Sequence, residues 1–148
     1  MPKENNVSEL EKPILQVFDA YQAAVFAKDV DAFIALYAPE VYVFDLWGQW
    51  THEGLGAWRE MAAHWLGSLG TDRVVVEFDH VQTTVTPEVA IAHAFVTYKA
   101  VSAEGRALRG MNNRMTWVLQ PKNGTWKIVH AHTSSPIDPA TAKVMLKR

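Results

Sequence analysis

The sequence contains no cysteine, and this absence excludes several kinds of site at once. Without thiols the chain can form no disulfide, no thiolate metal centre and no thiol nucleophile. Its start, MPKENNVSELEKP, is polar and lacks the apolar segment of a signal peptide. A chain of this kind suits a reducing compartment, so we expect a cytoplasmic protein.

Long apolar runs and unbalanced charge are also missing. No run approaches the roughly 18 apolar residues that a membrane-spanning helix needs, so no membrane association is predicted. The 14 basic residues stand against 16 acidic residues, which gives a net charge of −2, and the basic residues are scattered along the chain. Binding to a phosphate backbone requires clustered basic residues, so nucleic acid is not expected as a partner.

What the sequence does contain is enough apolar material for one core. A chain of 148 residues fits a single domain over residues 1–148, with its core at about 8–136. Six tryptophans stand out, at positions 47, 50, 58, 65, 117 and 126. An indole ring combines a large apolar area with a polar N–H, so each could serve the core, a dimer surface or the wall of a pocket.

Apolar residues at three- and four-residue steps predict three helices in the first half of the chain. The first begins near Ser8, where a capping box is present, or at Pro13, and ends at about Lys28. A second, short helix follows Asp29 and ends before Pro39. A third covers residues 54–69.

β-branched and aromatic residues predict strands elsewhere. The string VYVFDLW at residues 41–47 is the first strand, and four longer segments follow at about 72–86, 88–102, 106–120 and 125–135, separated by turn residues. Helices followed by a run of strands are typical of an α+β fold. We therefore predict three N-terminal helices packed on a curved, mostly antiparallel sheet.

Several strings in this order resemble the nuclear-transport-factor-2-like superfamily, in particular its SnoaL-like and ketosteroid-isomerase-like members. YQAAVFAKDVDAFIALYAPEVYVFD resembles their opening helices and first strand, and WGQWTHEGLGAW resembles the loop that follows. RMTWVLQPKNGTWKIVHAHTSS is similar to their last hairpin and to that of the calcium/calmodulin-dependent kinase II hub domain. The resemblance implies a cone-shaped, cystatin-like α+β barrel with a cavity between the helices and the sheet.

The resemblance also implies catalytic residues. Tyr21 falls where ketosteroid isomerases keep an oxyanion-binding tyrosine, and Asp45 falls where they keep the general base. Their third functional residue, a protonated aspartic acid on the penultimate strand, has no counterpart in the region of Met111, Asn112, Asn113, Met115 and Thr116. Two functions therefore stay open: cofactor-free proton transfer next to a carbonyl, of the isomerase or cyclase type, and non-catalytic ligand binding or oligomerisation.

The chemistry of the two residues supports the first function independently. An inward-facing Asp45, between Phe44 and Leu46, would be partly desolvated and therefore a better base. The Tyr21 phenol could stabilise a developing enolate oxygen. The alternative is that Asp45 faces water at a strand end and that Tyr21 is only a packed helix residue.

The register that faces the pocket in the superfamily predicts the rest of the site. His93 is expected to assist catalysis, with a core histidine as the alternative, and no cofactor is expected because no phosphate loop or metal signature is present. The predicted cavity lining consists of Tyr21, Asp45, Trp58, Met61, Trp65, His93, Phe95, Asn113 and Trp117.

The two histidines of the string WKIVHAHTSSP lie on one face of the last strand, because side chains two residues apart point the same way. A zinc site would need a third and usually a fourth ligand, and the other histidines stand alone, so no metal is predicted. In the superfamily this outer face packs against a second subunit. The predicted homodimer interface consists of Arg114, Thr116, Trp126, Ile128, His130 and His132.

Overall fold

Three helices and six strands follow one another in residues 9–148, the part of the chain that the computed structural model describes. None of the helices in this part is long and apolar enough to cross a membrane. The elements are α1 (Lys12–Ala27), α2 (Val30–Ile34), β1 (Tyr37–Phe44), β2 (His52–Glu53), α3 (Gly54–Gly67), β3 (Arg73–Val85), β4 (Ala90–Val101), β5 (Ala107–Lys122) and β6 (Thr125–Ser134).

The first helix begins with Pro13 in its first turn, where the missing N–H of proline leaves no helical hydrogen bond unmade. Ser8, the alternative start, lies outside the described residues. The helix ends at Lys28, which adopts a left-handed conformation (φ 56°) and donates its backbone N–H to the carbonyls of Ala24 and Val25. The apolar stripe of α1 is buried against the sheet, as its spacing predicts.

The six strands form one curved sheet in the order β2-β1-β6-β5-β4-β3. All neighbouring pairs are antiparallel except β1 and β6, which are parallel. The helices cover one face, so the predicted α+β architecture is confirmed. This concave face carries the core, and the opposite face is called the outer face below.

The start of β1 differs from the prediction. Tyr37 was expected at the end of the second helix, yet it begins the strand, and Pro39 lies within the strand instead of ending a helix. The reason is packing: the buried Tyr37 ring lies 5.2 Å from Phe33 and 5.8 Å from Trp58, between ring centroids. The pairing of β1 with β6 is irregular between Tyr37 and Tyr42, which accommodates a residue without an N–H.

The last hairpin contains a β-bulge that changes which residues share a face. Val118 pairs with His130 but Leu119 pairs with Ile128, so Val129 is an extra residue without a partner on β5. Side chains before the bulge therefore point to the side opposite to that predicted by simple alternation.

As a consequence, two residues of the predicted dimer interface lie on the concave face and not on the outer face. Ile128 is fully buried in the core, and Trp126 packs against the same core cluster. The prediction of these two as outer-face residues is wrong, because the bulge at Val129 shifts them. His130 and His132 do lie on the outer face, beside Phe44.

Beyond β6 the chain crosses the outer face instead of leaving the domain. Residues 137 and 144 form an isolated antiparallel bridge. Asn112 donates its N–H to the carbonyl of Leu146 and accepts the N–H of Arg148 on its side-chain oxygen. The Arg148 guanidinium lies 3.9 Å from the centroid of the Phe95 ring. The segment therefore covers part of β4 and β5.

A cluster of aromatic rings joins the helices to the sheet. Phe33 of α2 is fully buried, and its ring centroid lies 5.3 Å from that of Tyr21 and 6.2 to 6.3 Å from those of Trp58 and Trp65. One short helix thus holds together two longer ones through a single side chain.

The Phe33→Ala variant should lose about 3–5 kcal/mol of unfolding free energy, because it leaves a cavity at the junction of all three helices. Urea denaturation followed by circular dichroism measures the loss. Phe26→Ala is the control: Phe26 is 45% exposed on α1, and its removal should cost less than about 1 kcal/mol. Similar losses in both variants would contradict the assignment of Phe33 as the junction.

Candidate functional site

A cavity of about 800 Å³ lies between α1, α3 and the concave face of the sheet. Its inner end is closed by buried side chains, among them Tyr21, Tyr37 and Trp117. Its mouth is formed by exposed residues of α3 and of the loop between β1 and β2. A cavity of this volume accepts an organic molecule of ordinary metabolite size.

Most of the residues predicted for the cavity line it. The set that lies there is Tyr21, Asp45, Trp58, Met61, Trp65, Asn113 and Trp117. Eight polar residues in the lining were not predicted: Tyr37, Gln49, His52, Glu60, His64, Ser68, Tyr98 and Thr133. The two functional residues suggested by the resemblance thus face one common space.

His93 and Phe95 do not reach this cavity, and their predicted roles in catalysis and ligand binding are wrong. Both lie on the outer face, in a depression that also contains Arg114 and His132. Simple alternation divides β4 correctly into two faces, but it does not show which face is concave.

The concave face of β4 instead carries its small residues and a tyrosine. Ala92 stands opposite Trp117 and Ala94 stands opposite Met115, so the small side chains make room for the large ones of β5. Tyr98 continues this register and enters the cavity. The run of alanines at every second position was the signal that could have identified Tyr98.

Tyr21 and Tyr98 form a hydrogen-bonded pair at the inner end of the cavity. Their hydroxyl oxygens are 2.9 Å apart, and either can be the donor. Two hydroxyls carry two hydrogens, and the bond between them uses only one. The pair therefore keeps one O–H to donate to a ligand, polarised by the hydrogen bond that its oxygen accepts.

Burial keeps these phenols protonated. Removal from water raises the pKa of Tyr98 to about 12, although its hydrogen bond with Tyr21 works in the opposite direction. The pKa values of Tyr21 and Tyr37 are also raised, chiefly by burial. The negative charge of Asp45 adds to the rise in all three. At neutral pH all three are therefore hydrogen-bond donors.

Asp45 is held in place by Thr133. The Thr133 hydroxyl donates to Oδ1 of Asp45 over 3.0 Å, and Oγ1 of Thr133 accepts the backbone N–H of Leu46 over 3.0 Å. Asp45 follows the last residue of β1 and is only half-buried. Its carboxylate is thus fixed by one oxygen in the wall of the cavity.

Asn113 lies between the tyrosine pair and the carboxylate. On β5, Met111 stands opposite Tyr98, Asn113 is the next concave residue, and Met115 stands opposite Thr133. Asn113 is therefore a diagonal neighbour of both Tyr98 and Thr133. Its Oδ1 is buried without a hydrogen-bond partner among the described residues. Within residues 9–148, this part of the cavity wall carries an amide and no carboxylic acid.

The residues described give no sign of a metal centre at this site. Between residues 9 and 148 no three histidine, aspartate or glutamate side chains come together in a way that could hold a metal ion. The polar groups of the cavity are phenols, carboxylates, amides, imidazoles and hydroxyls, which suit hydrogen bonding to an organic ligand.

Comparison with known families agrees with this arrangement. Residues 14–138 match the model of the SnoaL-like domain. The chain belongs to the SnoaL-like domain family. No curated protein matches it.

Solved structures show the same fold as this SnoaL-like chain. An NTF2-like protein of unknown function from Pseudomonas putida is 24% identical, with 92% of this chain and 93% of that one covered and a TM-score of 0.80. A candidate aromatic ring hydroxylase from Novosphingobium aromaticivorans is 20% identical (85% and 88% covered, TM-score 0.68). A candidate calcium/calmodulin-dependent protein kinase II association domain from Xanthomonas campestris is 18% identical, with 82% of this chain and 84% of that one covered and a TM-score of 0.65.

The raised pKa values predict how stability depends on pH. A buried phenol binds its proton more tightly in the folded state, so stability is constant below the unfolded pKa of about 10 and falls as pH rises through the folded value of about 12 for Tyr98. The Tyr98→Phe variant should lose less stability than wild type over this range. Urea denaturation at several pH values measures the difference.

Tyr42→Phe is the matched control, since Tyr42 lies outside the cavity and is 39% exposed. It should follow the wild-type pH dependence. A Tyr98→Phe variant whose stability falls as steeply as that of wild type would show that the Tyr98 phenol is not buried in the folded protein.

Proposed function

We propose that this SnoaL-like protein binds a small, mostly apolar molecule with a carbonyl group and catalyses proton transfer next to that carbonyl. The observation that carries the proposal is the presence of Asp45 and the Tyr21–Tyr98 pair in one cavity. A base and a neutral donor facing the same ligand are the two groups that enolisation requires.

The reaction would proceed in two proton transfers. The free O–H of the tyrosine pair donates to the carbonyl oxygen, and Asp45 removes a proton from the adjacent carbon. The electron pair of the broken C–H bond moves to the oxygen, where the phenols stabilise the enolate charge. If the enolate is conjugated with a C=C bond, protonated Asp45 returns the proton to the far carbon of that bond, which gives an isomer. Alternatively the enolate carbon attacks a second carbonyl, whose C=O π electrons move to its oxygen, and that oxygen takes the proton from Asp45, which gives a hydroxyl-bearing ring.

Removal of water strengthens this arrangement. Hydrogen bonds to a developing charge are worth more in an apolar site, and the phenols are already oriented before the reaction. Thr133 fixes the Asp45 carboxylate through Oδ1, and the described residues give Oδ2 no hydrogen bond. Oδ2 is therefore the oxygen that we assign to proton abstraction.

A second function is favoured by one specific observation, the amide at Asn113. An amide can donate a hydrogen bond but cannot share a proton with an enolate as a carboxylic acid can. A protein with this amide and no third carboxylic acid could hold a ligand without converting it, as a binding or oligomerisation module. Turnover distinguishes the two functions.

The Asp45→Asn variant should lose roughly 10²–10⁴-fold in proton-transfer rate, the usual contribution of a positioned base. Simple cyclic ketones in deuterated water provide an assay that does not require the natural substrate. Wild-type protein should accelerate exchange of the hydrogens next to the carbonyl, measured by proton NMR.

Asp19→Asn is the control, because it removes the same charge from an exposed position on α1. This variant should catalyse hydrogen exchange of the ketones at the wild-type rate. If the Asp45→Asn variant binds the ketones and catalyses exchange of their hydrogens as fast as wild type does, the binding module becomes the better description of this protein.

The outer face carries a separate proposal, a homodimer. Arg114, Thr116, His130 and His132 share this face, as predicted, and exposed aromatic rings adjoin them. Phe44 is 38% exposed, and its ring centroid lies 5.0 Å from that of His130 and 5.3 Å from that of His132. Aromatic and arginine side chains are enriched in protein interfaces.

Phe44→Lys should therefore weaken the dimer, because it places a charge in the middle of the apolar part of the face. Sedimentation velocity at several protein concentrations measures the effect. Leu10→Lys, which alters an exposed apolar residue before α1, should leave the oligomeric state unchanged. A Phe44→Lys variant that sediments as wild type does would place the contact elsewhere.

A further inference from the structure

The loop between β1 and β2 exposes two tryptophans to solvent. Trp50 is 95% exposed and Trp47 is 55% exposed, whereas Trp58 and Trp117 are buried. An indole ring is among the largest apolar groups in a protein, and full exposure leaves its whole surface in water. Such a ring is expected to have a contact that the free protein lacks.

The position of the loop indicates which contact this is. Trp47, Gly48 and Gln49 already line the cavity, so Trp50 is the next residue beyond its wall. Glu60 and His64 of α3, and Ser68 directly after it, are exposed and also line the cavity. Trp47 thus belongs to the cavity wall, and Trp50 lies just beyond it, two residues before β2.

The backbone of the loop is fixed at both ends and loosely packed between them. At one end Leu46 donates its N–H to Thr133, and at the other His52 pairs with Val43. Gly48 has a φ of +71°, and a Cβ placed there would meet no atom within 4 Å. Few side chains can adopt this φ, and open space surrounds it, so the middle of the loop can turn without displacing its neighbours.

We propose that residues 46–51 form a lid, and that Trp47 and Trp50 pack on the ligand held in the cavity, which is therefore aromatic or otherwise planar. This rests on the proposed function, because it assumes a ligand bound at the tyrosine pair. Trp58 and Trp65 line the cavity from α3, so closing of the lid would add two further indole rings to the walls around a flat ligand. Stacking on aromatic faces favours planar molecules over puckered ones.

The lid is also connected to the proposed base. Leu46, the first residue of the lid, donates to the same Thr133 oxygen whose hydroxyl donates to Asp45. The anchor of the lid is therefore the residue that orients the carboxylate, and closing of the lid would remove water from the cavity mouth.

A matched pair of ketones tests the proposal. α-Tetralone and α-decalone share a bicyclic skeleton and a carbonyl position, but only tetralone has a flat aromatic ring. Wild-type protein should bind tetralone about tenfold more tightly than decalone in isothermal titration calorimetry. Trp50→Ala should remove most of this preference through loss of tetralone affinity, Trp50→Phe should retain part of it, and Phe26→Ala, far from the mouth, should match wild type.

Nuclear magnetic resonance provides the second measurement. The indole N–H signal of Trp50 is identified by its absence from the spectrum of the Trp50→Phe variant. On addition of tetralone this signal should shift, and its hydrogen exchange with water should slow at least severalfold.

Three results would overturn the lid. Equal binding of both ketones, with the Trp50 signal unchanged, refutes the lid and leaves the proposed function standing. Binding of neither ketone refutes the proposed ligand class and the lid with it. Slowing of Trp50 exchange that depends on protein concentration and not on ketone assigns the ring to a contact between two copies of the chain.

Discussion

The structure depends on the way small and large side chains alternate across the concave face of the sheet. Trp117 lies at the centre of β5, with Ala92 on one neighbouring strand and Ala131 on the other. Two alanines leave space for one indole ring, and that ring in turn contacts Phe18 and Tyr21 of the first helix. The helix is therefore held at a distance from the sheet, and the space that remains beyond Trp117 is the cavity.

The polar groups of the cavity are organised by the same strands. Each of the two chemically important groups is oriented by a hydroxyl from a different element: Tyr21 by Tyr98 of β4, and Asp45 by Thr133 of β6. Both partners come from strands, whose positions are fixed by long ladders of backbone hydrogen bonds. The reactive groups, in contrast, lie on a helix and at a strand end. Rigid elements thus supply orientation, and more adaptable ones supply chemistry.

Much of this could be predicted from sequence because it depends on local patterns. The periodicity of apolar residues located α1 and α3, and the turn residues located the four long strands to within a few positions. The presence of Tyr21 and Asp45 in one cavity could be predicted only from the family resemblance. Nothing in the neighbourhood of either residue in the sequence indicates that a helix side chain and a strand end, 24 positions apart, will meet.

What could not be predicted depends on contacts between distant residues. Alternation divides β4 into two faces but does not decide which one is concave, and this put His93 in the wrong place. Tyr37 could end a helix or begin a strand, and the choice is made by its packing on Phe33 and Trp58. The bulge at Val129 leaves no mark in the sequence, because it arises from how β5 and β6 align.

That bulge has a consequence for how this protein can change over evolution. Insertion or deletion of one residue in a paired strand normally moves every following side chain to the other face of the sheet. Val129 is the exception, since it has no partner and its loss would restore a regular ladder with Ile128 inside and His130 outside. One residue can therefore be lost at this position of β6 while the side chains on both sides of it stay on their own faces of the sheet.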